Sequence, residues 1–442
     1  MKSAAKSSIP MTSMQKWKAF LAPKLRRIAE FFGSQGITTA GNLIYGFLCV
    51  RLLPISGYAK FAVVFGFLGT LTVLMDIGFT KTLLPLVGER VNDCQLIADY
   101  VASLRQLAHW LYAAVAPLLI IVFPLAVHRQ PWSWQTVAAM VSIILVAGWM
   151  ARVSGIYGAV LIVRRDRPVW YRIQMISSLG TLSLLGVVWY VHWLNAFSCI
   201  LINVAGIIFC GTAYYIRAQR LLGVKGNVSR EKRKAIVHLT LPTIPNTIFY
   251  AFQGQIALFL ITLFGGIGGI AAVGALSRLS RLFVLFSQMN PLLLEPYFAS
   301  LPKARLKRNY LVAVALAGTF GAAVTILSRF FPGPFLWVLG PQYAGFRFEV
   351  FLAISAASMG YINGVLWTVH SARKFVYWWN NLANMSLTLL VQAIFIWKTN
   401  LSSVDSVLLF NIAATGASLT VSLLCGYYGF TRGPRELVRA SA

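Results

Sequence analysis

The chain has 442 residues, 58% of them hydrophobic and only 11% charged, with a mean hydropathy of +0.71. A soluble chain carries about 25% charged residues, so this composition excludes an ordinary soluble globular protein. The formal net charge of +28 raises nucleic acid as a partner. No separate basic module with interleaved aromatics exists to receive it, so no nucleic-acid partner is expected.

In chain order, apolar runs of roughly twenty residues recur near 28–50, 58–80, 106–127, 135–162, 170–193, 195–217, 238–264, 268–298, 309–331, 345–371, 376–397 and 403–428. Each is long enough to cross a bilayer core of about 30 Å. In lipid such runs must be helices, because a helix keeps its backbone hydrogen bonds to itself. The expected fold is therefore all-α, a polytopic membrane protein with about twelve transmembrane helices. The connection 218–237 divides it into two six-helix lobes, 28–217 and 238–428, preceded by a basic segment 1–27 and followed by a tail 429–442.

Residues 1–27 carry Lys16, Lys18, Lys24, Arg26 and Arg27. No small-residue cleavage site follows the first apolar run, so that run is expected to stay as an anchor. The first helix, FFGSQGITTAGNLIYGF, sets Gln35, Thr38 or Thr39, Asn42 and Tyr45 on one face at helical spacing. The seventh, LPTIPNTIFYAFQGQIALF, does the same with Asn246, Tyr250 and Gln253. In hydrocarbon such stripes turn toward neighbouring helices or water. They either bond between helices at packing contacts or line one aqueous cavity shared by the lobes. Pro242 and Pro245 loosen the start of the seventh helix, where a moving lobe would bend.

Cations inside apolar helices are the sharpest signal. In GALSRLSRLFVLFSQ (274–288), Arg278 and Arg281 lie three residues apart on one face. They sit about 12–17 Å into the eighth helix at ~1.5 Å per residue. Each would cost about 2.5–3.5 kcal/mol at mid-bilayer unless it faced protein or water. With 11 Asp and Glu in the whole chain, most of them in loops, few acids can pair with them. Arg152, in GWMARVSGIYG of the fourth helix, either joins them or snorkels to the near surface. Arg51 ends the first helix, where interfacial anchoring competes with a site role. Asp76 and Glu295, near the inner ends of the second and eighth helices, could titrate or bind a cation, coupling transport to H+ or Na+, or could serve structural pairing with bases such as Lys81.

Assigning Lys and Arg to alternate loops puts about thirty on one side and roughly six on the other, which makes the rich side, with both termini, cytoplasmic. That side includes RRDR at 164–167, Arg230 to Lys234, KARLKR at 303–308 and Arg373–Lys374. Some of these loops are expected to touch anionic lipid headgroups. Five cysteines and five histidines have no paired spacing, so neither a metal site nor a disulfide framework is expected.

RLLPISGYAKFAVVFGFLGTLTVLMDIGFTKTLL (51–84) resembles the first hairpin of polysaccharide exporters and Wzx-type O-antigen flippases of the multidrug/oligosaccharidyl-lipid/polysaccharide (MOP) superfamily. Arg51, Leu52, Leu53 and Pro54 match an Arg-Leu-Leu-Gly-Pro run, and Asp76–Ile77–Gly78 matches the Asp-Leu-Gly that ends the next helix. AVGALSRLSRL (272–282) is similar to the turn of the second repeat, with Arg281 on a recurrent basic position. WVLGPQYAG (337–345) is similar to a Leu-Phe-Gly-Pro-Glu-Tyr-Ala turn, and Arg373 stands where a Gly-Arg pair often follows. The acidic residue of the first turn is missing, and GGIGG (265–269) replaces a Gly-Pro-acid turn.

The resemblance implies a V-shaped, two-lobed flippase of the bacterial inner membrane. It would carry a polyprenyl-pyrophosphate-linked oligosaccharide outward by alternating access for O-antigen, exopolysaccharide or capsule synthesis. Guanidinium groups suit that cargo, because they offer pyrophosphate bidentate, permanently charged hydrogen bonds. No cofactor is expected. Expected partners are the lipid-linked sugar, the bilayer, and a polysaccharide polymerase with other assembly proteins. Two other functions compete. A multidrug or cation antiporter of the same superfamily would want an acidic cavity. A membrane-embedded polymerase or ligase would want a long outer loop with catalytic groups, and none is evident, so the chain reads as a non-enzyme.

Overall fold

A computed structural model describes residue 33 and residues 35–88, 90–375 and 377–432. The basic segment 1–27 and positions 433–442 of the tail lie outside the described residues. Among the described residues there are seventeen helices and no strand. Helix α1 covers 35–52, followed by α2 (Ile55–Asp76), the short α3 (Leu83–Val87), α4 (Cys94–Val127), α5 (Trp134–Val163), α6 (Arg167–Tyr190) and α7 (Ala196–Leu222). The second half holds α8 (Arg230–Thr240), α9 (Ile244–Gln253), α10 (Ile256–Phe264), α11 (Ile267–Ser287), α12 (Glu295–Ser300), α13 (Lys303–Phe330), α14 (Gly333–Leu339), α15 (Arg347–Ala372), α16 (Trp378–Lys398) and α17 (Val404–Arg432). Among the described residues nine of these are long and apolar enough to cross a membrane, and ten if the bent run through α8, α9 and α10 is one span. With α1 and α16 they fall on the twelve apolar runs of the sequence.

Local chemistry sets the ends. Asp93 caps α4 by accepting from the Leu96 amide at 2.9 Å, and Ser133 caps α5 by accepting from Thr136. Asn195 and Ser198 form a reciprocal capping box at the start of α7. Gly223, with φ +64°, closes α7 in the left-handed conformation that suits glycine.

Two expected single spans are broken. The seventh bends by 52° at Gly254–Gln255, between α9 and α10, rather than at Pro242 and Pro245. Pro242 and Pro245 instead lie in the first turns of a 3-10 segment and of α9, where a missing N–H costs no helical bond. The eighth span ends as a regular helix at Ser287, and a π turn over Asn290–Leu294, containing Pro291, separates it from α12.

Three apolar clusters define the architecture. The largest mixes both halves, joining Tyr58, Phe61, Phe67 and Phe123 to Leu258, Ile261, Leu276 and Leu339. It lies toward the end that carries the α1–α2, α4–α5 and α10–α11 turns. At the opposite end, which carries the basic turns, the halves have separate cores. One is built around Leu83, Leu104, Tyr157 and Tyr214, the other around Phe298, Tyr310, Val369 and Phe375. The halves thus share a core at one end, the closed end, and have separate cores at the basic end. Helix α2 packs directly against α11 across the halves, where Gly274 leaves no room for a side chain: a Cβ there would lie 2.6 Å from that of Ala62. The stretch expected to be an inter-lobe loop, 218–237, comprises the end of α7, a short loop and the first part of α8, which folds back on the first half so that Ile236 enters its core.

Candidate functional site: a cationic cavity between the halves

Between the joined end and the basic mouth lies a cavity of ≈ 960 Å³. Its walls are α1, α2, α5, α6 and α7 of the first half and α11 of the second. Arg278 and Arg281 both line it. Their spacing places them, with Gln288 further down, along one face of α11, so the helix turns its polar side inward and its apolar side (Ala275, Leu276, Leu279) into the core. The Arg278 guanidinium sits over two rings of α2, 4.2 Å from the centroid of Phe65 and 5.5 Å from that of Phe61. Gly46 of α1 is just across from it: a Cβ there would meet Nη1 at 3.2 Å. Lys81, just past the end of α2, adds a third cation toward the mouth. Among the described residues no carboxylate lines the cavity, and the ion pairs present, Arg217–Asp166 and Lys232–Asp99, lie elsewhere.

The facing wall is polar and uncharged. Gln35, Asn42 and Tyr45 of α1 line it as one face. Gln35 donates to Gln174 of α6 at 3.1 Å, and the Tyr45 hydroxyl donates to the Cys199 carbonyl. Thr39 bridges the halves by donating to Gln288 at 3.3 Å. Helix α6 contributes Gln174, Ser177, Ser178 and Thr181, and α7 contributes Asn203. The α6 residues recur at i, i+3, i+4 and i+7, a polar stripe legible in the sequence and absent from the expected site.

Other expected site residues lie apart from this cavity. The seventh-helix stripe does not join it. Tyr250 pairs with Asn384 of α16, and Gln253 accepts from Gln392 at 2.9 Å. Helix α16 carries Asn380, Asn384, Thr388 and Gln392, one every four residues and all buried, so it presents a polar face to α9. Asn246, one turn before Tyr250 on α9, is likewise absent from the cavity wall. Tyr250 and Gln253 thus bond between helices, while Asn246 Oδ1 is buried without a hydrogen-bond partner; the amides and hydroxyls of the cavity wall come mostly from the first half.

Arg152 lines a second, separate pocket, because the cavity face of α5 (Ala151, Ser154, Gly155, Gly158) lies about a third of a turn round the helix from its own. Arg51 is at the closed end, bonded to the Trp337 carbonyl at 3.3 Å and set 5.1 Å from that ring's centroid. It clasps α1 to α14 across the halves. The Asp76 carboxylate accepts from the Thr80 amide and hydroxyl at 2.9 and 2.8 Å, which ties the turn that follows α2. Glu295 is exposed in the first turn of α12. Among the described residues no cluster of His, Cys, Asp and Glu could hold a metal ion.

The arrangement of helices is that of solved transporters. The inward-facing conformation of a multidrug resistance MATE family transporter of the MOP superfamily aligns with a TM-score of 0.64 at 14% identity, over 89% of this chain and 96% of that one. An outward-facing conformation of such a transporter aligns at 0.53, with 15% identity over 92% and 95%. A MOP superfamily transporter from Pyrococcus furiosus, described as having a binding pocket of reversed polarity that suggests a different function, aligns at 0.57, with 14% identity over 91% and 94%. No family model and no curated protein matches the sequence. The chain therefore has the fold of the MOP-superfamily transporters.

Proposed function

We propose that the protein is a transporter working by alternating access, and that its cargo is an oligosaccharide linked to a polyprenyl pyrophosphate. The single observation carrying this reading is the charge of the cavity: Arg278, Arg281 and Lys81 line it, and among the described residues no acid does. Pyrophosphate is a compact polyanion, and two guanidiniums on one helix face can hold it through paired, charge-assisted hydrogen bonds. The amide and hydroxyl wall of α1, α6 and α7 offers donors and acceptors to sugar hydroxyls, while the polyprenyl chain stays in lipid. A cationic drug would meet repulsion at the same surface, which disfavours the antiporter reading. The pocket of reversed polarity in the Pyrococcus furiosus transporter supports the view that this fold hosts cargo of different charge.

With the basic end assigned to the cytoplasm by the positive-inside rule, the cavity faces the compartment where lipid-linked sugars are made. We place the protein in a bacterial inner membrane, upstream of a polysaccharide polymerase. An inside-negative potential favours outward movement of an anion by about 2.3 kcal/mol per charge per 100 mV, so no coupling ion is needed. The test is a deletion strain complemented with Arg278→Ala/Arg281→Ala. The expected outcome is a membrane-inserted protein with export abolished and lipid-linked sugar held on the cytoplasmic leaflet. Normal export by the double variant would falsify the reading.

A further inference from the structure

The second pocket, ≈ 550 Å³, is formed by α4, α5 and the end of α7 on the flank of the first half, away from the cavity. Its floor is Arg152, only 7% exposed. One guanidinium nitrogen faces the His109 imidazole at 3.2 Å, and the group lies 3.7 Å from the centre of the Trp149 ring. Its Nε is buried without a hydrogen-bond partner, as is Oε1 of the neighbouring Gln106. Arg105 lines the same pocket, and Arg233 of α8 sits 5.1 Å from the centroid of Trp110 at its rim. Among the described residues no carboxylate pairs with Arg152. The nearby acid of α4, Asp99, is bound to Lys232 and to the Asn227 amide. Two cations, an unpartnered buried donor and an aromatic wall make a site for an anion that the protein itself does not supply.

Depth identifies the anion's source. At ~1.5 Å per residue α4 and α5 are about 51 and 45 Å long, well beyond a ~30 Å hydrocarbon core. Counted from their closed-end termini, twenty residues cover roughly 108–127 and 134–153. Arg105 and Arg152 then stand at the opposite hydrocarbon boundary, where phosphates of lipid headgroups lie. Trp110 and Trp149 stand at the same level, as interfacial tryptophans do. The pocket mouth is flanked by exposed apolar side chains, Trp110 at 54%, Tyr215 at 42% and Val228 at 48%, on which acyl chains can rest.

We infer that this pocket binds the phosphate headgroup of an anionic phospholipid from the leaflet at the basic end, held by Arg152 and Arg105. The lipid would be a bound companion of the first half rather than transported cargo. Purified protein in detergent, titrated with phosphatidylglycerol, phosphatidylcholine or inorganic phosphate, tests this by native mass spectrometry and by thermal unfolding. One phosphatidylglycerol adduct should persist at collision energies that strip phosphatidylcholine, and should raise the melting temperature. Arg105→Gln changes an exposed side chain and leaves the fold intact; it should weaken the adduct at least about fivefold, and a folded Arg152→Gln should abolish it. Undiminished adducts in Arg105→Gln, no preference for phosphatidylglycerol, or protection by inorganic phosphate equal to that of the lipid would each overturn the proposal.

Discussion

The guanidinium carbon of Arg278 rests 4.2 Å from the ring centroid of Phe65, one residue on α11 and the other on α2. The contact joins the two halves where the cavity begins, and it gives a half-buried cation an aromatic partner. A half-buried cation–π contact is worth about 1–2 kcal/mol. Phe65→Leu is therefore expected to lower export roughly tenfold, less than Arg278→Ala does, with unaltered membrane levels. Accumulation of surface polymer reads the difference.

Charge and geometry are separable at Arg281. Arg281→Lys keeps the cation but loses the planar fork that matches a phosphate. A hydrogen bond to a charged group is worth about 1.5–3 kcal/mol, so binding of a pyrophosphate probe should weaken roughly tenfold or more. Arg281→Ala should weaken it further, and isothermal titration on purified protein reports both. Equal affinities for the Lys variant and the parent would mean that Arg281 acts only as a point charge.

At the seam between the halves, Gly274→Val is expected to destabilise the closed end by about 1–3 kcal/mol, the usual cost of overpacking, because even a Cβ would lie 2.6 Å from that of Ala62. A lower melting temperature should accompany thiol labelling of closed-end positions that are protected in the parent. A variant with parental melting and labelling would remove the seam from this account.

Tyr250 offers a control. Its hydroxyl meets Asn384, outside the cavity. Tyr250→Phe should cost about 0.6 kcal/mol of stability, the average for a hydrogen bond between membrane helices, while export per folded molecule stays unchanged. Loss of export at parental stability would put the α9–α16 contact into the transport pathway.

The span pattern was readable because hydrocarbon permits few backbone solutions, and twelve apolar runs reappear as the helical segments of the bundle. Arg278 and Arg281 were equally readable: two cations three residues apart in apolar sequence must share a wet or aromatic face. Arg152 shows where one-dimensional reading stops. It too lies in an apolar helix, yet it faces a different side of α5 from the cavity, and only the packing of α4 and α7 decides which side that is. The stripe of α9 left two readings open for a related reason, since its partners are the matching row of Asn380, Asn384, Thr388 and Gln392 more than a hundred residues away. The stripe of α6 was visible by spacing alone, but its Ser and Thr hydroxyls can satisfy themselves within a helix and so signal weakly.

The cavity is an unequal partnership: the first half supplies most of its amides and hydroxyls together with Lys81, and one helix of the second carries both arginines. A rocking motion about the α2–α11 seam would leave Arg278, pressed on Phe65, nearly stationary while Arg281 and Gln288 swing away from Gln35 and Asn42. Under the proposed reading, sugar and diphosphate would then be pulled by separate hands. Unloading would need no competing ligand, because the receptor itself would come apart along the line that divides its guanidiniums from most of its hydroxyls.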